Sequence, residues 1–149
     1  MIKKGKSWQS NVKNPTISEF IEEINKKGGL KQFDLGELIK PNGYAHKISA
    51  NIKFKRVQLR KIFTELKTVY KMYKNIKDKK DKEVNEKNQI MARLYKLYPI
   101  LQYQVSRVVI DNDFKVLMWV ILDYLEKDLE NFDNAMEFIE ALVAYLRGE

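Results

Sequence analysis

Apolar residues in this chain recur at intervals of three and four, the spacing of one face of an α-helix. Ile17, Phe20, Ile21 and Ile24 form the first such set. They follow Thr16, whose Thr-Ile-Ser-Glu sequence is a capping box with Glu19, and precede a Gly28-Gly29 stop. Asp34 to Lys40 predicts a short helical piece ended by Pro41-Asn42-Gly43, and Tyr44 to Ile52 reads as an ordered loop. A long helix is predicted at about 55–78. At about 100° per residue, Leu59, Ile62, Phe63, Leu66, Val69, Tyr70 and Tyr73 share one continuous apolar arc on it.

Lys77 to Lys87 is a charged connector. The next helix, at about 86–109, carries Ile90, Leu94, Leu97, Ile100 and Leu101 and continues through Val105, Val108 and Val109. Pro99 lies inside it and removes a backbone hydrogen bond, which predicts a kink or a split. Asp111-Asn112-Asp113 supplies cap chemistry for a helix at about 113–130, whose stretch from Val116 to Leu122 is apolar on every side and must be surrounded. A last helix, at about 133–147, is capped by Asn131 or Asp133, buries Phe132, Ala135, Met136, Ile139, Leu142, Val143 and Leu146, and stops at Gly148. Neither β-type alternation nor a solenoid repeat is present. The pattern predicts an all-α, single-domain bundle of four to five main helices over 16–149, behind a flexible basic N-terminal arm at 1–15.

A chain of 149 residues fits one domain and buries enough surface to need no disulfide or metal staple. There is no Cys and a single His, so thiol nucleophiles, Cys/His zinc sites and most His-dependent catalytic sets fall away. His46, among Tyr44, Lys47 and Ser49, has no second His to share acid–base work and reads as a loop residue. Asp111 and Asp113, with Asp123, Glu126, Asp128 and Glu130, raise the question of a Mg²⁺ site, but helix caps and a solvated acidic face explain them more simply. No Gly-rich phosphate loop occurs. The expectation is a protein with no catalytic residues, no metal and no cofactor. No apolar run reaches the ~18 residues of a membrane span, and the N-terminus shows no apolar signal core, so a cytoplasmic protein without a membrane partner is expected.

Charge adds the first functional signal. The chain carries a net +8, unevenly spread. Lys53 to Lys80 holds 11 basic residues against Glu65 and Asp78, whereas Asp111 to Glu149 holds 10 acidic residues against 3 basic ones. Such asymmetry suits two faces for two kinds of partner. On the long helix, Arg56, Arg60, Lys67, Lys71 and Lys74 fall within about 60° of one another, and Lys53 joins the line if the helix or its cap extends that far. Over about 27 Å this row offers a cation every turn or two, a spacing that tracks a phosphate backbone. The competing reading is a solvated face in a Lys-rich protein. Tyr70 and Tyr73 flank the row, where core packing explains them better than base stacking. Arg93, Lys96 and Arg107 form a sparser second set near Pro99, with phosphate contacts and ion pairs to the acidic C-terminal helices both open.

Three segments in order then add a family signal: Gln58-Leu59-Arg60-Lys61-Ile62-Phe63, the run from Arg93 to Tyr103 with its Leu-x-x-x-Pro-x-Leu-x-Tyr pattern followed by Arg107, and the run from Phe138 to Tyr145. Together, over about Lys53 to Leu146, they resemble the small helical subunit of type III-A CRISPR effector complexes, the Csm complex. Where that family usually has Thr or Ser before Gln-Leu-Arg, this chain has Arg56 and Val57. The resemblance implies a non-catalytic subunit of antiviral defence. Several copies stack beside the backbone subunits and line the groove for guide RNA and target RNA, and cleavage belongs to a neighbour. It implies contacts with other Csm subunits and self-association between copies, down to a homodimer of the isolated chain. Its basic contact positions map onto Arg60 and Lys61, then Arg93, Lys96 and Arg107, whereas Arg56, Lys67 and Lys71 come from the row alone. The acidic last quarter is then expected to face a basic neighbour.

Three other classes compete. A DNA-binding helix-turn-helix regulator needs two short helices joined by a three- or four-residue turn. A carboxylate nuclease needs Mg²⁺-dependent turnover that is lost with Asp111 and Asp113. A plain helical interaction module needs neither nucleic acid nor metal.

Overall fold

In the computed structural model the described residues are 7–52, 56–77, 83–107 and 110–146, with the side chains of Ser7, Arg56, Glu83 and Val84 excepted. They form α1 (Pro15–Lys27), α2 (Leu35–Ile39), α3 (Tyr44–Asn51), α4 (Arg56–Lys77), α5 (Glu83–Ser106), α6 (Asn112–Lys127) and α7 (Phe132–Tyr145), with 3-10 turns at Ser7–Asn11 and Leu129–Asn131. No strand occurs among the described residues, and the protein is an all-α bundle. Five of these helices are long, as expected.

The start of α1 differs from the expected capping box. Asn14 is the N-cap: its Oδ1 accepts from Thr16 N at 2.9 Å and from Ile17 N at 3.1 Å, and Pro15 occupies the first turn. Asn caps well, and proline is suited to a position whose N–H has no helical partner. Asp113 reinforces this corner by accepting from Asn14 N at 2.8 Å. At the other end Gly28, at φ 79°, closes the helix in the left-handed region. The expected basic arm is docked over its second half. Ser7–Asn11 is a 3-10 turn, and the Trp8 ring meets Trp119 edge-on at 5.4 Å. Residues 1–6 lie outside the described residues.

The segment expected as a loop at Tyr44 to Ile52 is mostly helix α3. Its buried Ala45 and Ile48 pack on α1 and α7, a three-residue apolar repeat too short to stand out in sequence. α5 runs unbroken through Pro99, so the proline does not split it. Pro99 and Tyr95, four residues before it, are both exposed, so the carbonyl released by the missing N–H lies on the water side. Val108 and Val109 lie outside the described residues.

α6 is surrounded, as its composition requires: Phe114, Leu117, Met118, Val120, Ile121, Leu122 and Leu125 are fully buried against α1, α5 and the first 3-10 turn. It also buries Lys115, whose ammonium sits 4.3 Å from the Trp119 ring and 2.9 Å from Gln102 Oε1; burial lowers its pKa. α7 packs on α2, α3 and α4, with Phe132 and Phe138 wholly buried. Burying each such ring stabilises the fold by roughly 2 kcal/mol. Asn131 stands at the N-cap position of α7, as expected, but its side chain makes no capping hydrogen bond. Asn131 is buried, donating to Tyr124 O and Asp128 O at 3.0 Å and accepting from Lys31 N at 2.9 Å. Asp128 caps the short turn before it by accepting from Glu130 N. Gly148 lies outside the described residues.

Candidate nucleic-acid interface

α4 is flanked by α5 on one side and α7 on the other, and the candidate cations divide according to this arrangement. Its buried face carries Leu59, Ile62, Leu66, Val69, Tyr73 and Ile76. Arg60, Lys67 and Lys71 stand exposed on its solvent side, and none is held in an ion pair among the described residues. Lys67 spreads its stem so that its ammonium lies 5.8 Å from the Phe63 ring. Lys53 and the side chain of Arg56 lie outside the described residues.

Lys74, at the edge of the row nearest α7, is engaged differently. Its ammonium is 2.9 Å from Asp133 Oδ1, and Tyr70 donates its hydroxyl proton to the same oxygen. The hydrogen bond to Asp133 raises the Lys74 pKa. Partial burial works to raise the Asp133 pKa, but hydrogen bonds from Tyr70 and Lys74 outweigh it and hold the carboxyl below its ordinary range. Lys74 therefore clamps α4 to α7. Tyr73 is buried against Phe132, and the half-buried Tyr70 meets the same ring, which answers the choice between core and base stacking in favour of core.

The opposite flank of α4 carries a second site. Lys61, adjacent in sequence to Arg60, is turned about 100° from it around the helix. With Lys96 it edges a cavity of about 270 Å³ between α4 and α5. Ile62, Leu97 and Ile100 supply its apolar lining, and Gln104 contributes a half-buried amide. Arg93 also lines it but is committed: its Nε donates to Glu65 Oε2 at 3.0 Å and its Nη2 to Glu65 Oε1 at 3.3 Å, with Met72 Sδ 3.8 Å from Nη1. The partner of Arg93 is thus the one acidic residue of α4, not the acidic C-terminal helices.

Ile100 was expected in the core and is 44% exposed. It sits about 90° from the centre of the stripe formed by Ile90, Leu94, Leu97 and Leu101, an offset legible from helical geometry alone. The same α5 strip continues through Tyr103, 57% exposed, to Arg107, whose guanidinium lies 5.7 Å from the Tyr103 ring. Lys96, Ile100, Tyr103 and Arg107 fall within about 60° of one another. Sequence reasoning missed Ile100 and Tyr103 as surface residues, and also the Glu65–Arg93 pair.

The remaining candidates are occupied structurally. Asp111 accepts from Asp113 N at 2.8 Å and caps α6, while Asp113 accepts from the α1 corner. His46 lies on α3, where its Nδ1 accepts from Asn42 N at 2.9 Å and its ring meets Tyr145. Asp123 and Glu126 both accept from the Tyr98 hydroxyl, whose pKa is raised by burial and then by these carboxylates. α2 and α3 are two short helices joined by a four-residue turn, but α2 spans only five residues and Lys47 is the single cation of α3. No helix of the described residues is long and apolar enough to cross a membrane.

The chain matches neither a curated protein nor a solved structure. A family model described as Csm2 Type III-A matches residues 36–148, taking in α2 through α7 and therefore both flanks of α4. With three quarters of its length matched and the same helices carrying the motifs, the chain belongs to the Csm2 type III-A family, the small subunit of the type III-A Csm effector complex.

Proposed function

We propose that this chain is a non-catalytic, RNA-gripping subunit of the cytoplasmic Csm complex. It holds the backbone of guide and target RNA without reading sequence, and it stacks in several copies. The observation that carries this reading is the row of Arg60, Lys67 and Lys71, which spans about 17 Å of α4 with no acidic partner among the described residues. Glu65, the one carboxylate on that helix, faces α5 and is neutralised by Arg93. A continuous face of unpaired cations gains most by displacing counterions from a phosphate backbone. Lys61, Lys96 and Arg107 extend the positive surface along the α5 flank, while Arg93 acts chiefly as a structural partner of Glu65. Base identity is left to guide–target pairing, so this surface has no sequence to read.

The carboxylates that a metal nuclease would need are spent on caps and on Tyr98, which supports holding rather than cutting. Incubating the full chain with labelled single-stranded RNA and Mg²⁺ tests this. Retarded, full-length RNA is expected; shortened RNA, dependent on Asp111 and Asp113, would replace this reading with the nuclease one.

A further inference from the structure

We infer that the cavity between α4 and α5 is a subsite for one unpaired nucleobase of the bound RNA strand. The inference rests on the RNA-gripping reading and adds a ligand to its second flank. The cavity, at about 270 Å³, lies just below the ~300 Å³ at which drug-sized ligand pockets begin, so it admits a single planar ring system and not a helix. Its lining is apolar where a ring face would lie: Ile62 and Leu97 are buried, and Ile100 exposes 44% of its surface for no reason of internal packing. Its edge carries the exposed cations Lys61 and Lys96, one from each helix, placed to hold the phosphates on either side of an inserted base.

Polar groups complete the match. The Gln104 amide offers a donor and an acceptor at the cavity. Glu65 would repel a polyanion if it stood alone, but Arg93 neutralises it through two hydrogen bonds and keeps further N–H groups on Nη1 and Nη2. The pair thus presents hydrogen-bonding edges without net charge. An aliphatic floor takes up the ring of any base by burial alone, and a cationic rim holds the backbone beside it, so neither selects a sequence.

The test compares a single-stranded RNA with a strand of the same length and backbone lacking bases, each titrated with the full chain at low salt. A base subsite predicts roughly tenfold tighter binding of the strand with bases. Ile100→Asn, neutral and at an exposed position, is expected to bring both strands to one affinity, and Ile100→Ala to move part of the way. Lys96→Gln is expected to weaken both strands in parallel. Thermal melting of each variant reports that the fold is kept. Equal, salt-sensitive binding of both strands by the natural chain overturns the subsite and leaves the backbone grip standing. A base preference that survives Ile100→Asn also overturns it. Failure to bind either strand overturns the grip and the subsite together.

Discussion

Arg93 on α5 holds Glu65 on α4 through two guanidinium nitrogens, at 3.0 and 3.3 Å, which removes from the basic face both its only carboxylate and one of its expected RNA contacts. The pair is part-exposed, so breaking it costs little: Arg93→Ala is expected to lower stability by about 0.5–1 kcal/mol. Glu65→Gln is the more telling change. It frees the guanidinium and removes a negative charge, so RNA affinity measured at low salt should rise, while a structural role alone would leave it unchanged.

Asp133 gives the α4–α7 clamp a pH dependence. Its pKa is lowered in the folded chain, so the stabilisation it contributes is present above the ordinary carboxylate value of 3.8 and is lost as the pH falls through the lowered one. The melting temperature of Asp133→Asn should therefore lie below that of the natural chain near neutral pH. The gap should close in acid. A gap that stayed constant down to pH 2 would place the effect outside ionisation.

Gly29 has no room for a side chain. At φ 142° it lies where only glycine is at ease, and an added Cβ would sit 2.5 Å from Asn131 Oδ1. Asn131 cannot move away because it is buried and held by hydrogen bonds to Tyr124, Asp128 and Lys31. Gly29→Ala should cost about 2 kcal/mol or more by denaturant titration.

Glu137 and Glu140 are exposed on α7, one and two turns beyond Asp133. If the acidic quarter faces a basic neighbour, changing both to Lys should reduce co-purification with the other subunits while leaving the melting temperature of the isolated chain within a degree or two. Undiminished co-purification would move that contact to another surface.

How much of this was legible follows from where each signal arises. The long helices and the central place of α6 came from periodicity, because Val116 to Leu122 can be satisfied only by enclosure. α3 was hidden because two buried residues do not make a period. The cap of α1 shifted because Asn14 and Pro15 outcompete Thr16, a local contest in which both sequences are plausible. In the candidate site, the outer row was readable from helical angles, since exposure of Arg60, Lys67 and Lys71 depends on one helix alone. What could not be read was anything set by two helices at once. Arg93 meets Glu65 across 28 positions, and the cavity that Lys61 and Lys96 share exists only because α4 and α5 lie side by side.

The most direct measurement of the central claim is the salt dependence of binding to labelled ~40-nucleotide single-stranded RNA. It is made for the natural chain and for the Arg60→Gln, Lys67→Gln, Lys71→Gln variant. A grip by the α4 row predicts a linear fall of log affinity with log salt for the natural chain, and a slope shallower by about 2 in the variant, at roughly 0.7 per lost phosphate contact. Identical slopes and affinities for the two proteins would contradict it.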